Sequence, residues 1–544
     1  TSAGEAPHTV ESMASARIRA MRGRRALRNM DCLRERMAGQ LLILALPVHH
    51  ANGSGHRGLR GPRGHNMFLC FRRQEMDRDF WAPTATHFDN RISLCMGKLF
   101  GTDGIRGTAN IHPITAETAL LVGKTTAYVL GQHSKSKRVI IGKDTRLSGY
   151  MLETAVTAGL LSMGMDVFLV GPVPTPAVAH LTRSMGTCAG FMLTASHNPA
   201  DDNGIKIFGP DGYKLSDELE GRIEEMVLEA TIASDHIPSD QIGKAYLVED
   251  ARGRYIEYAK STIDNQSLAG LKVVLDCANG AAHFVGPLIF RELGAEVVKM
   301  GTSPDGHNIN DGCGALYPEK LGQLVRETGA DVGIALDGDA DRVIFCNAQG
   351  QPVDGDSIMG MCALDLKRDG LLAKDTLVVT TMSNLGLIEA MRQNGIRVEV
   401  TDVGDRQVIE RMRQGHFNLG GEQSGHVIFG DYTTTGDGIV TALHMLAMMQ
   451  KRQSSLDDLA SFIHAYPQRL VAVRVQAKPP LASLPGLQTE ITACQDAFGS
   501  AGRTVVRYSG TENKLRILVE CKDEVMADHW TERLVDAAKE EIGT

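Results

Sequence analysis

One pattern recurs three times between residues 138 and 421, and it constrains the fold of this 544-residue chain more than any other feature. Each copy opens with a β-branched run. A polar or glycine-bearing turn follows, then a helix-like stretch, a glycine and a second β-rich run. The first copy goes from Arg138-Val-Ile-Ile-Gly142 through a helix near Thr154 to Gly164 and Met165–Val170. The second goes from Lys272-Val-Val-Leu275 through Phe290 to Gly294 and Ala295–Val298. The third goes from Thr376-Leu-Val-Val-Thr380 through Met391 to Gly395 and Ile396–Val400. Glycine suits the left-handed position at a helix C-terminus. Continuous β-branched runs suit strands covered on both faces. Strand, helix, strand at this spacing predicts βαβ units in α/β layers.

Each copy then leads to a further apolar run that ends in a polar loop. Ala189–Ala195 ends at Ser196-His-Asn-Pro199, Val332–Leu336 at Asp337-Gly-Asp-Ala-Asp-Arg342, and Phe417–Gly421 at Glu422-Gln-Ser-Gly-His426. Ligands of open α/β sheets gather at strand carboxyl ends, so three related domains would each offer one loop to a shared cleft. From about Gln468 the pattern changes to strand, helix, strand, strand, helix, a smaller α+β domain. Its last two strands flank Ser509-Gly-Thr-Glu-Asn513, with Arg507 and Arg516 on either side. The expected division is 96–253, 254–352, 353–466 and 467–544.

Residues 1–95 differ from the rest, with many arginines and no lysine. They fit either an Arg-rich targeting peptide or, as expected here, an extension outside the catalytic fold, with Met96 as a natural start. The net charge of -8 argues against nucleic acid as a partner of the whole chain. The best apolar run, Leu41–Val48, is too short to cross a bilayer. Ten cysteines without a CxxC pair read as reduced thiols in a cytoplasm.

The aspartate loop carries the clearest chemistry. Asp337, Asp339 and Asp341 converge on one point if the backbone is extended, whereas a helix would aim the middle one away. Three carboxylates so close repel unless a cation joins them, and all-oxygen ligands suit Mg²⁺ or Ca²⁺. An EF-hand is excluded, because Arg342 and Ala348 stand where its glycine and glutamate belong. A solvated acidic turn is the plainer alternative, but apolar residues bury both flanks.

Ser196 has no Gly-x-Ser-x-Gly elbow, which argues against acyl transfer. A phosphorylated Ser196 would supply both anionic oxygens for a metal and a transferable group. Lys206 brings a cation near the same loop. Glu422, Ser424 and His426 offer acceptor, donor and imidazole groups to sugar hydroxyls. Arg507, Ser509, Gly510, Thr511 and Arg516 have the form of a phosphate cradle, with a plain hairpin turn as the alternative. Phe100-Gly-Thr-Asp-Gly-Ile-Arg106-Gly107 is glycine-rich but lacks the Gly-Lys-[Ser/Thr] ending of a Walker loop.

From about Met96 onward these motifs, in this order, resemble the α-D-phosphohexomutase superfamily. The resemblance implies three related α/β domains with mixed sheets and a smaller C-terminal α+β domain around a central cleft. The opening Phe-Gly-Thr-Asp-Gly-Ile-Arg-Gly and Gly421-Glu-Gln-Ser-Gly-His426 resemble the branch that acts on glucosamine phosphates. Phosphomannomutases, the near rival with phosphoglucomutases, tend to carry Met in place of Gln423. Cys313-Gly-Ala-Leu-Tyr-Pro and Asn513-Lys514 depart from that branch's usual Cys-Gly-Ser-Thr-His-Pro and Pro-Leu.

The implied activity interconverts glucosamine 6-phosphate and glucosamine 1-phosphate through phospho-Ser196 and glucosamine 1,6-bisphosphate, feeding UDP-N-acetylglucosamine and cell-wall synthesis. The implied roles are Mg²⁺ on Ser196, Asp337, Asp339 and Asp341, and catalysis by Ser196, Lys206, Arg106, Arg342 and His197. Sugar and phosphate binding fall to Glu422, Ser424, His426, Arg507, Ser509, Gly510, Thr511 and Arg516. A small phosphosugar is the expected partner; neither nucleic acid nor membrane is, and a homodimer is left open. A non-catalytic binder on the same fold would need neither the serine nor the triad, and a metal-dependent phosphatase would release phosphate without isomerisation.

Overall fold

The three repeats become three sheets with one shared strand order. The computed structural model describes residues 99–543 apart from 102, 132, 133, 233, 234, 500 and 510–512. The expectation for residues 1–95 lies outside the described residues. The first sheet contains β1 (Ile105–Thr108), β2 (Arg138–Lys143), β3 (Asp166–Pro172), β4 (Ala189–Leu193), β5 (Asp202–Phe208) and β6 (Ala245–Leu247), in the order β1-β5-β4-β2-β3-β6. The second contains β7 (Lys272–Asp276), β8 (Glu296–Met300), β9 (Val332–Leu336), β10 (Val343–Cys346) and β11 (Pro352–Val353), in the order β11-β10-β9-β7-β8. The third contains β12 (Thr376–Thr380), β13 (Arg397–Thr401), β14 (Leu419–Gly421) and β15 (Val427–Phe429), in the order β13-β12-β14-β15.

In each sheet the first strand of the repeat pairs in parallel with the second on one side and the third on the other. An antiparallel strand then returns beside the third. The turn glycines behave as helix-ending glycines should: Gly164, Gly294 and Gly395 have φ of 80°, 96° and 69°. The domains are thus α/β with mixed sheets.

The fourth sheet is all antiparallel, β16 (Gln468–Arg474), β17 (Gly502–Tyr508) and β18 (Lys514–Cys521), in the order β16-β18-β17. The helices Pro485–Phe498 and Glu524–Ile542 cover it. This is the smaller α+β domain.

The cores are not equal partners. One apolar core runs from Ile140 and Val178 of the first sheet layer through Val273 and Ile334 to Leu377 and Leu446 of the third. The fourth sheet has its own core around Val473, Phe498 and Trp530. Among the described residues no helix is long and apolar enough to cross a membrane, and the cysteines described are free and buried.

Candidate active site

All three predicted loops occupy the same structural position, between the third strand of a repeat and its antiparallel return strand. Ser196 follows β4 and precedes β5, Asp337 lies between β9 and β10, and Glu422 between β14 and β15. The fold thereby gathers residues more than a hundred positions apart. The Ser196 hydroxyl donates to Asp337 Oδ2 at 2.7 Å. Ser196 is buried, and so are all three aspartates.

The aspartate loop is a turn rather than the extended segment expected from the alternating carboxylates. Ala340 N donates to Asp337 O at 3.0 Å, and Ala340 takes φ of 58°. This left-handed residue reverses the chain, so the three carboxylates converge from a turn. Its own domain and both neighbours hold the loop: Ala281 N donates to Gly338 O at 2.8 Å from the second domain, Thr175 N to Asp339 O at 2.9 Å from the first, and Gly438 N to Ala340 O at 3.0 Å from the third.

One oxygen from each of Asp337, Asp339 and Asp341 lies within 4.8 Å of the others. Asp339 Oδ1 and Asp341 Oδ1 are buried without a hydrogen-bond partner. Burial, reinforced by Asp341 and Asp339, pushes the Asp337 carboxyl well above its usual range. Burial works to raise Asp341 as well, but Lys206 and His426 outweigh it and hold that carboxyl well below. Oxygen-only donors, unpartnered buried oxygens and mutual repulsion fit a hard divalent cation.

Lys206, on β5, ties the two halves of the cluster. Its ammonium lies 2.9 Å from Asp339 Oδ2, 3.2 Å from Asp341 Oδ2 and 3.2 Å from Asp103 Oδ2. Burial alone would lower its pKa, but Asp103, Asp339 and Asp341 raise it well above the usual value. Arg106 and Lys214 both pair with Asp103, and Lys214 also pairs with Asp405 at the start of helix Asp405–Gly415. Arg342 donates its backbone N–H to Asp337 Oδ1 at 3.2 Å. Its Nε stands 3.9 Å from Asp341 Oδ1. His197 Nδ1 lies 3.3 Å from Ser196 Oγ. Burial, then Arg342 and Arg106, lower its pKa to about 4, so the ring is neutral near pH 7.

The glutamate loop meets the cluster through His426. Gly436 N donates to His426 Nε2 at 3.0 Å, which leaves the ring proton on Nδ1. That nitrogen is 3.7 Å from Asp341 Oδ1. The Glu422 carboxylate accepts from Gly404 N at 3.1 Å, and Ser424 is exposed. Arg507 and Arg516 form a separate grouping on the fourth sheet. They are register partners across β17 and β18, and with Met382 they line a small cavity. Burial and the neighbouring Arg516 lower the pKa of Arg507. Ser509 is buried where β17 ends, while Gly510 and Thr511 lie outside the described residues.

Sequence reasoning missed several participants. Asp103 sits within the glycine-rich loop after Phe100, and nothing in that pattern marks it as the anchor of three cations. Thr175 donates its hydroxyl to Asp339 Oδ2 at 2.6 Å. Asp144 and Arg146 directly follow β2, so the strand-end rule that found the other loops also points to them. Asn310 comes from an irregular segment with no such signal.

The family comparisons agree with this architecture. Models of the phosphoglucomutase/phosphomannomutase family match in order: alpha/beta/alpha domain I over residues 97–233, domain II over 253–350, domain III over 354–466 and the C-terminal domain over 470–537. Two solved structures share the fold. A phosphoglucomutase/phosphomannomutase family protein from Burkholderia thailandensis has a TM-score of 0.69 at 23% identity, covering 82% of this chain and 99% of its own. An Aspergillus fumigatus N-acetylphosphoglucosamine mutase in complex with GlcNAc-6P and magnesium has a TM-score of 0.57 at 18% identity, covering 83% and 96%. A phosphoglucosamine mutase from Pelobacter propionicus is 50% identical over 450 residues, 82% of this chain and 99% of that protein. Half-identity along almost all of such a relative, with four domain models matched in sequence, means that the chain belongs to the phosphoglucosamine mutase family of phosphohexomutases.

Proposed function

We propose that this protein interconverts glucosamine 6-phosphate and glucosamine 1-phosphate, with Ser196 carrying a phosphoryl group and glucosamine 1,6-bisphosphate as intermediate. The observation that carries the reading is the 2.7 Å contact between Ser196 Oγ and Asp337 Oδ2 within the buried carboxylate triad. In the first transfer the Oγ–P bond breaks, and the 1-hydroxyl oxygen of the 6-phosphate bonds to phosphorus and loses its proton. After the bisphosphate turns over, its 6-phosphoryl group passes back to Oγ. No phosphate is released. The product is a precursor of UDP-N-acetylglucosamine, needed for cell-wall synthesis.

Ser196, Asp337, Asp339 and Asp341 would hold Mg²⁺, which when bound supplies charge stabilisation to the transferring oxygens. Lys206 and Arg342 balance charge around the same oxygens, and Lys206 or Arg106 handles the hydroxyl proton. Neutral His197 stands beside Oγ. Glu422 and Ser424 orient sugar hydroxyls, with His426 linking their loop to Asp341. Arg507, Ser509, Gly510, Thr511 and Arg516 hold the phosphate that is not reacting. The fourth domain's separate core supports its closing over the cleft, which excludes water and protects the phosphoserine from hydrolysis. The proposed domains are 96–253, 254–352, 353–466 and 467–544, with 1–95 outside the catalytic fold. Free cysteine thiols support a cytoplasmic setting.

Incubation with glucose or glucosamine 1,6-bisphosphate, followed by peptide mass mapping, tests the phosphosite. Phosphate is expected on Ser196 and absent in Ser196→Ala; label persisting on another residue in the variant would sink the assignment. Turnover of glucosamine, glucose and mannose 6-phosphates tests the sugar, and dominant activity on mannose would contradict the amino-sugar reading. Stoichiometric phosphate release without isomerisation would instead indicate a phosphatase.

A further inference from the structure

Two buried side chains from different domains converge on the backbone of the serine loop. Arg146 is fully buried. Its Nε is held 2.8 Å from Asp144 Oδ2, and the other Asp144 contacts keep that carboxylate in place. Arg146 N donates to Asp144 Oδ1 at 2.9 Å, and the Thr194 hydroxyl donates to Oδ2 at 2.7 Å. So anchored, Arg146 Nη2 donates to the carbonyls of Ser196 at 3.0 Å and Asn198 at 2.7 Å. Its Nη1 donates to the carbonyls of Pro199 and, at 2.9 Å, Asp202.

Asn310, from the second domain, reaches the same two carbonyls. Its Nδ2 donates to Ser196 O at 2.9 Å and to Asn198 O at 3.1 Å. Two donors and two acceptors thus close a four-bond square behind the serine. Gly338, in the middle of the first two aspartates, lies against it. A β-carbon there would fall 2.6 Å from Ser196 O and 2.8 Å from Asn310 Nδ2. The square also secures an unfavourable conformation, since Ser196 takes φ of 52°, a region L-residues with a β-carbon avoid.

We infer that Arg146 and Asn310 are positioning residues for phosphoryl transfer, fixing the Ser196 carbonyl so that Oγ stays aimed at the triad. This rests on Ser196 being the phosphoryl carrier. Asn310 is the more informative of the two. It joins the serine loop of one domain to the domain that carries the aspartates, so it sets the distance across which transfer occurs. Without it the serine loop keeps the Arg146 bonds of its own domain and the Ser196 Oγ contact to Asp337, but its backbone loses the Asn310 bonds to the second domain. A misplacement of about 1 Å costs transfer up to about a hundredfold, whereas the groups proposed to bind the sugar and the distal phosphate are untouched.

The test uses full-length protein carrying phosphate on Ser196, with isomerisation of glucosamine 1-phosphate as readout. Asn310→Ala is expected to lower kcat about tenfold or more, with KM changed less than about twofold. Asn310→Asp sets a carboxylate against the two carbonyls and is expected to lower kcat further, whereas Asn310→Gln, which keeps the amide donor, is expected to recover part of the loss. Unchanged kcat in Asn310→Ala would overturn the inference, and so would a loss confined to KM. If Asn310→Ala does not fold, Arg146→Lys decides: it keeps the charge but loses the fork, and full kcat in that variant would overturn the inference. Wild-type protein that never takes phosphate on Ser196 would defeat the phosphoserine reading itself, a result separate from a variant that is phosphorylated and slow.

Discussion

Ser196 is held rather than merely placed. Its left-handed φ of 52° costs on the order of 1–3 kcal/mol for a residue with a β-carbon. That cost is offset by hydrogen bonds to buried carbonyls, each of which would cost about 1–3 kcal/mol if left unpaired. The triad in front of it shows the opposite condition, since Asp339 Oδ1 and Asp341 Oδ1 are buried without partners. A bound cation should therefore stabilise the native state. Mg²⁺ at about a hundred times its Kd is expected to add about 2.7 kcal/mol. Thermal denaturation of wild type and Asp339→Asn across a Mg²⁺ series checks this; an equal rise in Tm for both would contradict triad binding. Removing Mg²⁺ with a chelator is expected to stop isomerisation, with recovery on adding it back.

At the level of elements, the recurring device is a parallel strand followed by an antiparallel return strand, with the functional loop between them. The first strand of each repeat, β2, β7 and β12, was legible because its β-branched residues are adjacent. The return strands were less so. β5 begins Asp202-Asn-Gly and β15 spans only Val427–Phe429, so neither shows a sustained period. Helix ends carry a second lesson. Helix Gly355–Arg368 starts from Asp354, which accepts from Ser357 N at 3.0 Å, while Asp356 in its first turn is buried and accepts from Asn384 N at 2.7 Å. Burial, then Asp354, raises Asp356 to about 7, despite the bond from Asn384. The folded state therefore keeps a proton that the unfolded chain releases near its usual value of 3.8. Stability attributable to this group should fall as pH rises from about 4 to 7, by an amount on the order of a few kcal/mol. Asp356→Asn is expected to flatten that part of the profile. Denaturation midpoints at intervals between about pH 4 and 7, a range set by the same linkage, check it, and parallel profiles for the two proteins would contradict it.

The described residues divide into a continuous three-domain core and a fourth domain with a core of its own. Polar ties join them. Glu520 accepts from Leu385 N at 2.6 Å, and Arg503, whose Nε is held 2.7 Å from Glu520, donates to the carbonyl of Ser383. Such an interface favours relative motion over rigidity. The Arg507–Arg516 pair rides on this fourth domain, and in the proposed cycle one cradle serves the phosphate at either end of the sugar. Arg507→Ala is therefore expected to raise KM for both glucosamine 6-phosphate and glucosamine 1-phosphate by about 10- to 100-fold, the loss of one charge-assisted bidentate contact. Steady-state kinetics in both directions check this. A change confined to one substrate would show that the two orientations use different phosphate sites.

The sequence by itself determined the α/β repeats, the small final domain and the loops that bear Ser196, Asp337, Glu422 and Arg507. These follow from local pattern: β-branched runs, turn glycines and dense polar groups at strand ends. The tertiary structure alone decided which distant groups meet. Asp103 gathers Lys206, Lys214 and Arg106, Thr175 reaches Asp339, and Asn310 and Arg146 close on the serine carbonyl. Charge pairing and hydrogen bonding act through space and leave no period in the chain. A lone Asn310 or Asp103 becomes informative only when the packing of three sheets brings it within about 3 Å of its partner, the reach of a hydrogen bond.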